Sequence, residues 1–258
     1  MHKQNKRIYN GSLLNFMIMI TKKEIKYIQS LYHKKNRDEE RLFIAEGPKI
    51  VKELLQSDYS IKQLFATAQW IKENREHISA VEITKDELQK ISQLQTPNHV
   101  LAVVAKKNET AEPVLEQSIT LVLDGIQDPG NMGTIIRIAD WFGIKQIIAA
   151  PDSADIYNGK VIQSTMGSFL RVDVWYKDLQ TFLENASINV YGALLNGQDV
   201  RAVKMGNEGI LVIGNESKGI SKALLPYIQH PVTIPRMGHA ESLNAAVATG
   251  IILSHVCN

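Results

Sequence analysis

The chain has 258 residues, of which 44% are apolar and 22% charged, and it contains one cysteine. These values are typical of a globular chain and exclude a largely disordered protein, a collagen-like repeat and a disulfide framework. One cysteine also excludes a cysteine-cluster zinc site, and no apolar run approaches the roughly 20 residues of a membrane-spanning helix. We therefore expect a cytoplasmic protein with no metal and no membrane partner.

Charge is distributed unevenly along the chain. Residues 1–41 carry ten Lys and Arg against four Asp and Glu, whereas residues 42–258 carry 19 against 23. A basic end points weakly to an anionic partner such as nucleic acid, although on charge alone a solvated arm is the favoured interpretation. No cleavage site for export follows the first short apolar patch, so residues 1–18 are interpreted as a disordered extension or an upstream start.

The first half of the chain alternates helix and strand signals, which predicts a small α/β domain over residues 19–105. Thr21–Glu24 and Thr84–Glu87 each have the capping-box pattern of a helix start. Asn36–Arg41 is interpreted as a charged turn. Strands are predicted at Leu42–Ala45, Ile61–Ala66 and Val100–Ala105, with a helix after Gly47 whose inward residues are Ile50, Val51, Leu54 and Leu55. The polar residues 106–117 are predicted to be a linker.

Residues 118–258 alternate again and predict a second α/β domain with a mostly parallel sheet. The predicted strands are Ile119–Leu123, Gln146–Ala150, Val172–Trp175, Val190–Leu195, Ile210–Ile213 and Val232–Ile234. The predicted helices are Asn131–Phe142, Gly159–Met166, Leu179–Asn185 and Ser242–His255. In such a sheet ligands bind beyond the carboxyl ends of the strands. Three loops at those ends hold the unusual residues: Asp124–Gly133, Gly214–Gly219 and Pro235–Asn244.

Taken singly, each loop has an ordinary explanation. Asn131 and Ser242 stand where helix N-caps belong, and Arg137 is as readily an exposed helix charge as a site residue. The Gly-bounded loop Gly214–Gly219 resembles many strand-to-helix turns. The glycine fingerprint of dinucleotide sites, a Walker A loop, a nucleophile elbow and a metal-spaced histidine pair are all missing from the sequence, which disfavours a nucleotide-dependent oxidoreductase.

Together, the three loops resemble the motifs of the SpoU (TrmH-like) family of RNA ribose 2′-O-methyltransferases, within the knotted SPOUT class. The motifs are Asp128–Arg137, Leu211–Ile220 and the pair Ile234–Met237 and Glu241–Ala248, and the match spans roughly residues 119–256. Residues 19–105 resemble the substrate-binding domain often placed before it, which is similar to the ribosomal protein L30e fold. That second resemblance depends on domain order and on Phe43–Gly47.

The resemblance implies a C-terminal trefoil-knot domain over residues 118–258, S-adenosylmethionine as cofactor, and a homodimer whose active sites use both subunits. Carried over position by position, it implies a catalytic set of Asn131, Arg137, Glu216, Ser242 and Asn244. It implies cofactor contacts from Ala193, Leu194, Gly214, Ile234, Met237 and Leu243.

Methyl transfer from a sulfonium requires no metal, but the ribose hydroxyl is a poor nucleophile until its alkoxide is favoured. Two roles remain open for Arg137: it loses a proton in the dry site, or it stays charged and stabilises the alkoxide. Structured RNA is the expected substrate, with 23S rRNA favoured over tRNA. The alternatives are a tRNA ribose 2′-O-methyltransferase and a non-catalytic RNA-binding protein of the same fold.

Overall fold

A computed structural model describes residues 20–74, 79–107 and 112–257, so the extension expected at residues 1–18 lies outside the described residues. The N-terminal half contains four strands and five helices in its described part. The strands are β1 (Leu42–Glu46), β2 (Ile61–Ala66), β3 (Val81–Glu82) and β4 (Val100–Ala105). The helices are α1 (Lys22–Ser30), α2 (Lys34–Glu40), α3 (Pro48–Leu55), α4 (Ala68–Glu73) and α5 (Lys85–Ile91).

The N-terminal sheet has the order β1-β4-β2-β3, with β4 antiparallel to both β1 and β2. Its side chains alternate between two apolar cores, as the two-residue period of a strand requires. Ile44 and Phe65 pack in a core with α1 and α5, whereas Phe43 and Leu64 face the opposite side. Both predicted capping boxes, at Thr21 and Thr84, are confirmed.

The prediction of a charged turn at Asn36–Arg41 is wrong, because most of this segment lies in helix α2. Charged side chains four residues apart stabilise that helix: Lys34 pairs with Asp38 at 2.6 Å and Lys35 with Glu39 at 3.8 Å. The prediction that Leu55 points inward also fails, since this residue at the end of α3 is 38% exposed.

The C-terminal half contains a six-stranded sheet with the order β10-β8-β9-β5-β6-β7 and parallel pairing between all neighbours. This confirms the expected mostly parallel sheet. The strands are β5 (Ile119–Asp124), β6 (Gln146–Ala149), β7 (Asp173–Tyr176), β8 (Val190–Asp199), β9 (Gly209–Gly214) and β10 (His230–Thr233). The helices are α6 (Pro129–Trp141), α7 (Gly159–Thr165), α8 (Leu179–Glu184) and α9 (Ala245–Val256). No helix among residues 20–74, 79–107 and 112–257 is long and apolar enough to cross a membrane.

One apolar core runs through both halves. The ring of Phe43 of β1 lies 4.7 Å from that of Tyr157 in a tilted arrangement and meets Phe169 edge-on at 5.9 Å, and both partners belong to the C-terminal half. The Arg37 guanidinium is buried and pairs with Asp155 at 2.6 Å. Because these contacts combine apolar burial with a buried ion pair, they hold the two sheets in one arrangement.

Residues 106–117 contain no helix or strand in their described part. Each end is nevertheless attached to a neighbouring half. Lys106 is nearly buried and pairs with Asp38 at 2.5 Å, and the Val114 carbonyl accepts a hydrogen bond from Gln146 Nε2 at 2.6 Å. The segment therefore joins two halves that already share a core.

Candidate active site

The loops predicted to carry the chemistry leave neighbouring strands at the same edge of the sheet. β5 and β9 are parallel neighbours in register from Ile119–Gly209 to Asp124–Gly214. The loop after Asp124 and the loop after Gly214 therefore start side by side. Their contact is direct, since Asn215 Nδ2 donates to the Gly125 carbonyl oxygen at 2.7 Å.

Asp128, rather than Asn131, is the N-cap of α6. Its Oδ1 accepts a hydrogen bond from the Asn131 backbone N–H at 2.8 Å, and Pro129 occupies the first turn, where its missing N–H costs no helical bond. The expectation that Asn131 caps the helix is wrong for this reason. The consequence is that the Asn131 side chain is available for other contacts.

The Asn131 amide joins two other loops. Its Nδ2 donates to Glu216 Oε1 at 2.5 Å, and its Oδ1 accepts from Asn244 Nδ2 at 2.8 Å. Three of the five residues expected to be catalytic, from three separate motifs, therefore form one hydrogen-bonded cluster. We call Asn131, Glu216 and Asn244 the amide–carboxylate cluster. A chain of polar groups held in this way is pre-oriented toward a ligand.

Asn244 is also the N-cap of α9, because its Oδ1 accepts from the backbone N–H groups of Ala246 at 3.0 Å and Val247 at 3.2 Å. The predicted helix start and cap at Ser242 are therefore wrong. Ser242 is exposed in the loop before the helix, and no hydrogen bond links it to the amide–carboxylate cluster within the described parts of the chain.

The Gly214–Gly219 loop folds back on itself. The backbone N–H of Asn215 donates to the Gly219 carbonyl at 3.1 Å, and the Gly219 N–H donates back to the Asn215 carbonyl at 2.8 Å. A β-carbon on Gly214 would lie only 2.3 Å from the Gly219 carbonyl carbon, so no larger residue fits without moving the backbone. Glycine at position 214 therefore keeps the turn tight and its backbone open to a ligand.

Arg137 is exposed on α6 and stands apart from the amide–carboxylate cluster. In the part of the chain that the structure describes, no acidic side chain lies within ion-pairing distance of its guanidinium. Although its sequence neighbours Ile135, Ile136 and Ile138 are apolar, the guanidinium is thus solvated. A cation held on a helix without a protein partner is suited to an anionic ligand.

The residues expected to contact the cofactor come from several elements: Ala193 and Leu194 lie within β8, Gly214 ends β9, and Ile234 follows β10. Ala193 and Ile234 are partly buried against the core that runs through both halves, whereas Leu194 packs on the other face of the sheet. The β8–β10 pairing shifts register between Gly192 and Gln198, so the intervening residues leave the ladder. Leu243 is 45% exposed and Met237 is 98% exposed, so Met237 is not joined to the rest of the set.

Sequence reasoning assigned no role to Asn215 or Asp124, although both organise these loops. Asn215 Oδ1 accepts from the N–H groups of Ser217 at 3.0 Å and Lys218 at 3.2 Å, and Asp124 Oδ2 accepts from Ser221 N–H at 2.6 Å. Asp124 ends β5 and Asn215 directly follows β9, and a polar residue at the carboxyl end of a buried strand was the available signal.

A cleft of about 990 Å³ lies elsewhere, between the two halves along β7. Lys107 and Asp58 on its wall pair at 3.1 Å, and Lys106 pairs with Asp38. Because carboxylates neutralise these cations, the cleft is a weaker candidate for an anionic ligand than the loops at the strand ends. No group of three or more metal-ligating side chains occurs within residues 20–74, 79–107 and 112–257.

Comparison with known proteins places this geometry in a family. The model of the SpoU rRNA Methylase family matches residues 118–254, and that of the MRM3-like substrate binding domain matches residues 22–102. The 23S rRNA (guanosine(2553)-2′-O)-methyltransferase RlmP of Bacillus subtilis is 31% identical over 90% of this chain and 95% of its own length.

Solved structures agree over nearly the whole chain. A TrmH-family protein from Porphyromonas gingivalis is 36% identical, with a TM-score of 0.80 over 92% of this chain and 98% of its own. The AdoMet-bound rRNA methyltransferase of Sinorhizobium meliloti is 28% identical, with a TM-score of 0.81 over 92% and 96% of the two chains. With its three motifs, its parallel sheet and these matches, the chain belongs to the SpoU rRNA methylase family.

Proposed function

We propose that this protein transfers a methyl group from S-adenosylmethionine to a ribose 2′-hydroxyl of 23S rRNA. The observation that carries the proposal is the amide–carboxylate cluster, in which Asn131 joins Glu216 and Asn244 from three separate motifs. The relative from Bacillus subtilis acts on 23S rRNA, which supports 23S rRNA rather than tRNA as the proposed substrate.

The loops around Gly214 fit the proposed cofactor. The tight Gly214–Gly219 turn is proposed to offer backbone groups to the cofactor, and the partly buried Ile234 and the exposed Leu243 are proposed to offer apolar surface. S-adenosylmethionine supplies an activated methyl group when it is bound. The role of the protein is to hold that methyl group in line with the ribose oxygen and to exclude water. Ala193, Leu194 and Met237 are proposed as further contacts.

Arg137 is proposed to act on the substrate as a cation. An arginine guanidinium keeps its proton at ordinary pH, and this one is exposed to solvent on α6. It therefore stabilises a developing ribose alkoxide or an adjacent phosphate rather than removing the proton. Glu216 and Asn244 hold Asn131 in place, and Ser242 is proposed to contact the substrate from the loop before α9.

The proposed active protein is a homodimer of a knotted C-terminal domain, residues 118–258, preceded by an RNA-binding domain, residues 19–105, and a linker. Trp141 on α6 is 85% exposed and Val247 on α9 is 50% exposed. These two helices pack together, and we propose that their exposed apolar residues contact a second copy. Trp141→Glu is expected to convert a dimer into a monomer in light scattering.

We place the activity in the cytoplasm, with the rRNA substrate.

The experiment that tests the function is label transfer from tritiated S-adenosylmethionine to total RNA of a deletion strain. We expect label in 23S rRNA, at a nucleotide whose 3′ phosphodiester bond resists alkaline hydrolysis because its 2′-oxygen is methylated. Label in tRNA would support the alternative substrate. RNA binding without label transfer would support a non-catalytic RNA-binding protein and reject the proposal.

A further inference from the structure

The loop formed by residues 92–98, between α5 and β4, lies at the end of the N-terminal sheet that packs against α7. Glu46 ends β1 opposite Leu101 of β4, which places this carboxylate at the base of the loop. We call residues 92–98 the 92–98 loop. Four polar side chains on it are exposed: Gln93, Gln95, Thr96 and Asn98.

A buried carboxylate holds the start of this loop. Glu46 is 6% exposed and accepts hydrogen bonds from the Ser92 hydroxyl and, at 3.1 Å, from the Gln93 N–H. Ser92 Oγ in turn accepts from Leu94 N–H at 3.0 Å. No lysine or arginine pairs with Glu46 in the described part of the chain. A buried carboxylate without a cation destabilises a fold, and the hydrogen bonds that this one accepts hold the start of the loop in place.

The same residue connects the loop to the C-terminal half. The Glu46 carbonyl oxygen accepts a hydrogen bond from Gln163 Nε2 of α7 at 2.8 Å. Gln93 reaches the start of that helix, where a β-carbon on Gly159 would lie 2.8 Å from Gln93 Oε1. The loop is therefore seated on α7 rather than extended into solvent.

Helix α7 then leads to the catalytic loop. Lys160, whose side chain is 66% exposed, lies 3.7 Å from Asp128, the N-cap of the helix that carries Asn131. A β-carbon on Gly130 would lie 3.9 Å from Lys160 Cε. A continuous exposed surface thus runs from the amide–carboxylate cluster over Lys160 to the 92–98 loop.

We propose that the 92–98 loop recognises the RNA segment adjacent to the methylated nucleotide, and that Glu46 is the positioning residue that sets its place. This inference depends on the proposed function for its substrate class. Amide and hydroxyl side chains read unpaired bases and ribose 2′-hydroxyls, and Lys160 is suited to a backbone phosphate between the two sites.

The surface is tested with the double variant Gln95→Ala/Asn98→Ala in the full-length protein. The KM for 23S rRNA transcript is expected to rise about tenfold or more, because several polar contacts are lost together. The kcat at saturating RNA and the Kd for S-adenosylmethionine should stay within about twofold of wild type. Gln56→Ala, which removes an exposed amide at the far end of α3, is the matched control. An unchanged KM for the double variant overturns the inference.

The positioning role is tested with Glu46→Ala and Glu46→Gln. The glutamine keeps an acceptor for Gln93 N–H and should restore an RNA KM close to wild type, whereas the alanine should raise it as the surface variant does. If Glu46→Ala fails to fold, Ser92→Ala decides, since it removes the hydroxyl between Glu46 and Leu94. A Ser92→Ala protein with normal melting and normal KM would reject the role.

Filter binding of the same transcript separates this inference from the proposed function. In one outcome the Gln95→Ala/Asn98→Ala protein binds RNA more weakly, but the wild-type protein transfers no methyl group. That outcome supports RNA recognition by the 92–98 loop and rejects the proposed methyltransferase activity. In the other outcome the wild type transfers methyl groups, but KM and RNA affinity are unchanged in both variant sets. That outcome supports the proposed methyltransferase activity and rejects RNA recognition by the 92–98 loop.

Discussion

Asn244 and Asn131 are 113 positions apart in the chain, and their side chains are joined by a hydrogen bond of 2.8 Å. The bond uses one end of each amide. The other end of Asn244 caps α9, and the other end of Asn131 donates to Glu216. Helix capping and site assembly are therefore coupled through one side chain, and a substitution can separate them.

Asn244→Asp keeps the cap but changes the site. The aspartate oxygens still accept from the N–H groups of Ala246 and Val247, so the melting temperature should stay near that of wild type. The donor to Asn131 Oδ1 is lost, and a carboxylate faces that oxygen instead. We expect methyl transfer to fall about tenfold or more, measured in single turnover.

Asn244→Ala is the comparison, because it removes both functions. Its loss of the cap should lower the free energy of unfolding by about 1 kcal/mol in urea titration, in addition to the loss of activity. Equal destabilisation by Asp and Ala, with activity retained in both, would show that Asn244 serves the helix alone.

Arg137→Ala should separate catalysis from cofactor binding. The side chain is exposed on α6, away from the Gly214 turn, so the affinity for S-adenosylmethionine should not change in calorimetry. Methyl transfer should fall by about 10²–10³-fold, as for other preorganised groups that stabilise developing negative charge. Arg137→Lys keeps the charge without the planar fork and should restore little.

Lys145→Ala serves as the matched control for charge, because Lys145 is an exposed cation at the opposite end of the parallel sheet, just before β6. Its turnover should equal that of wild type. Wild-type turnover in Arg137→Ala as well would remove Arg137 from the reaction. Lost cofactor binding would instead place it in the cofactor half of the site.

Gly214→Ala should damage the cofactor site through the backbone. The added β-carbon would lie 2.3 Å from both the Gly219 carbonyl carbon and the Ile220 nitrogen, so the turn must open. We expect the affinity for S-adenosylmethionine to fall about tenfold or more. Gly238→Ala is the control, since a β-carbon there meets nothing within 4 Å. Equal affinities in the two variants would exclude Gly214 from the cofactor site.

The sequence predicts the frame of the molecule well because apolar periodicity and capping patterns are local. The strand Ile61–Ala66 is predicted residue for residue, and both capping boxes form. Helix α2 escapes prediction because charge pairs, not apolar spacing, stabilise it, and because its buried Arg37 finds Asp155 far along the chain. Periodicity carries no information about such a partner.

The same contrast between local patterns and long-range contacts applies to the candidate site. Sequence order places Asn131, Glu216 and Asn244 in loops at strand ends, and their motifs resemble those of one family. The hydrogen bonds among them depend on which strands are neighbours, and the β5–β9 pairing is a property of the folded sheet. The caps are misassigned for a related reason: several polar residues precede each helix, and only the backbone geometry selects Asp128 and Asn244.

The ion pair between Arg37 and Asp155 should stabilise the two halves together. Both side chains are largely buried, at 4% and 12% exposure, so Arg37→Met leaves a carboxylate without its partner. We expect a loss of about 3–5 kcal/mol in the free energy of unfolding. Asp155→Leu in addition should recover part of it. Lys35→Met, which breaks an exposed pair, should cost under about 1 kcal/mol, and a similar cost for Arg37→Met would contradict the prediction.

Glu46 should make stability depend on pH. Its burial raises the pKa of this carboxyl, although the hydrogen bonds from Ser92 and Gln93 act in the opposite direction. The folded protein therefore binds the proton more tightly than the unfolded chain. The contribution of this group to stability is full below the unfolded pKa and is lost as the pH rises through the folded pKa.

Glu46→Gln removes this titration, since the amide keeps an acceptor for the Gln93 N–H and buries no charge. In urea unfolding at about pH 4 and about pH 8, the variant should gain stability relative to wild type as the pH rises. Glu184→Gln, at an exposed position, gives the baseline for removal of a surface carboxylate. The ionised Glu46 carboxylate disfavours the folded state only while it is buried. A difference between Glu46→Gln and wild type that is constant or shrinks from pH 4 to pH 8 would therefore show that Glu46 is solvated.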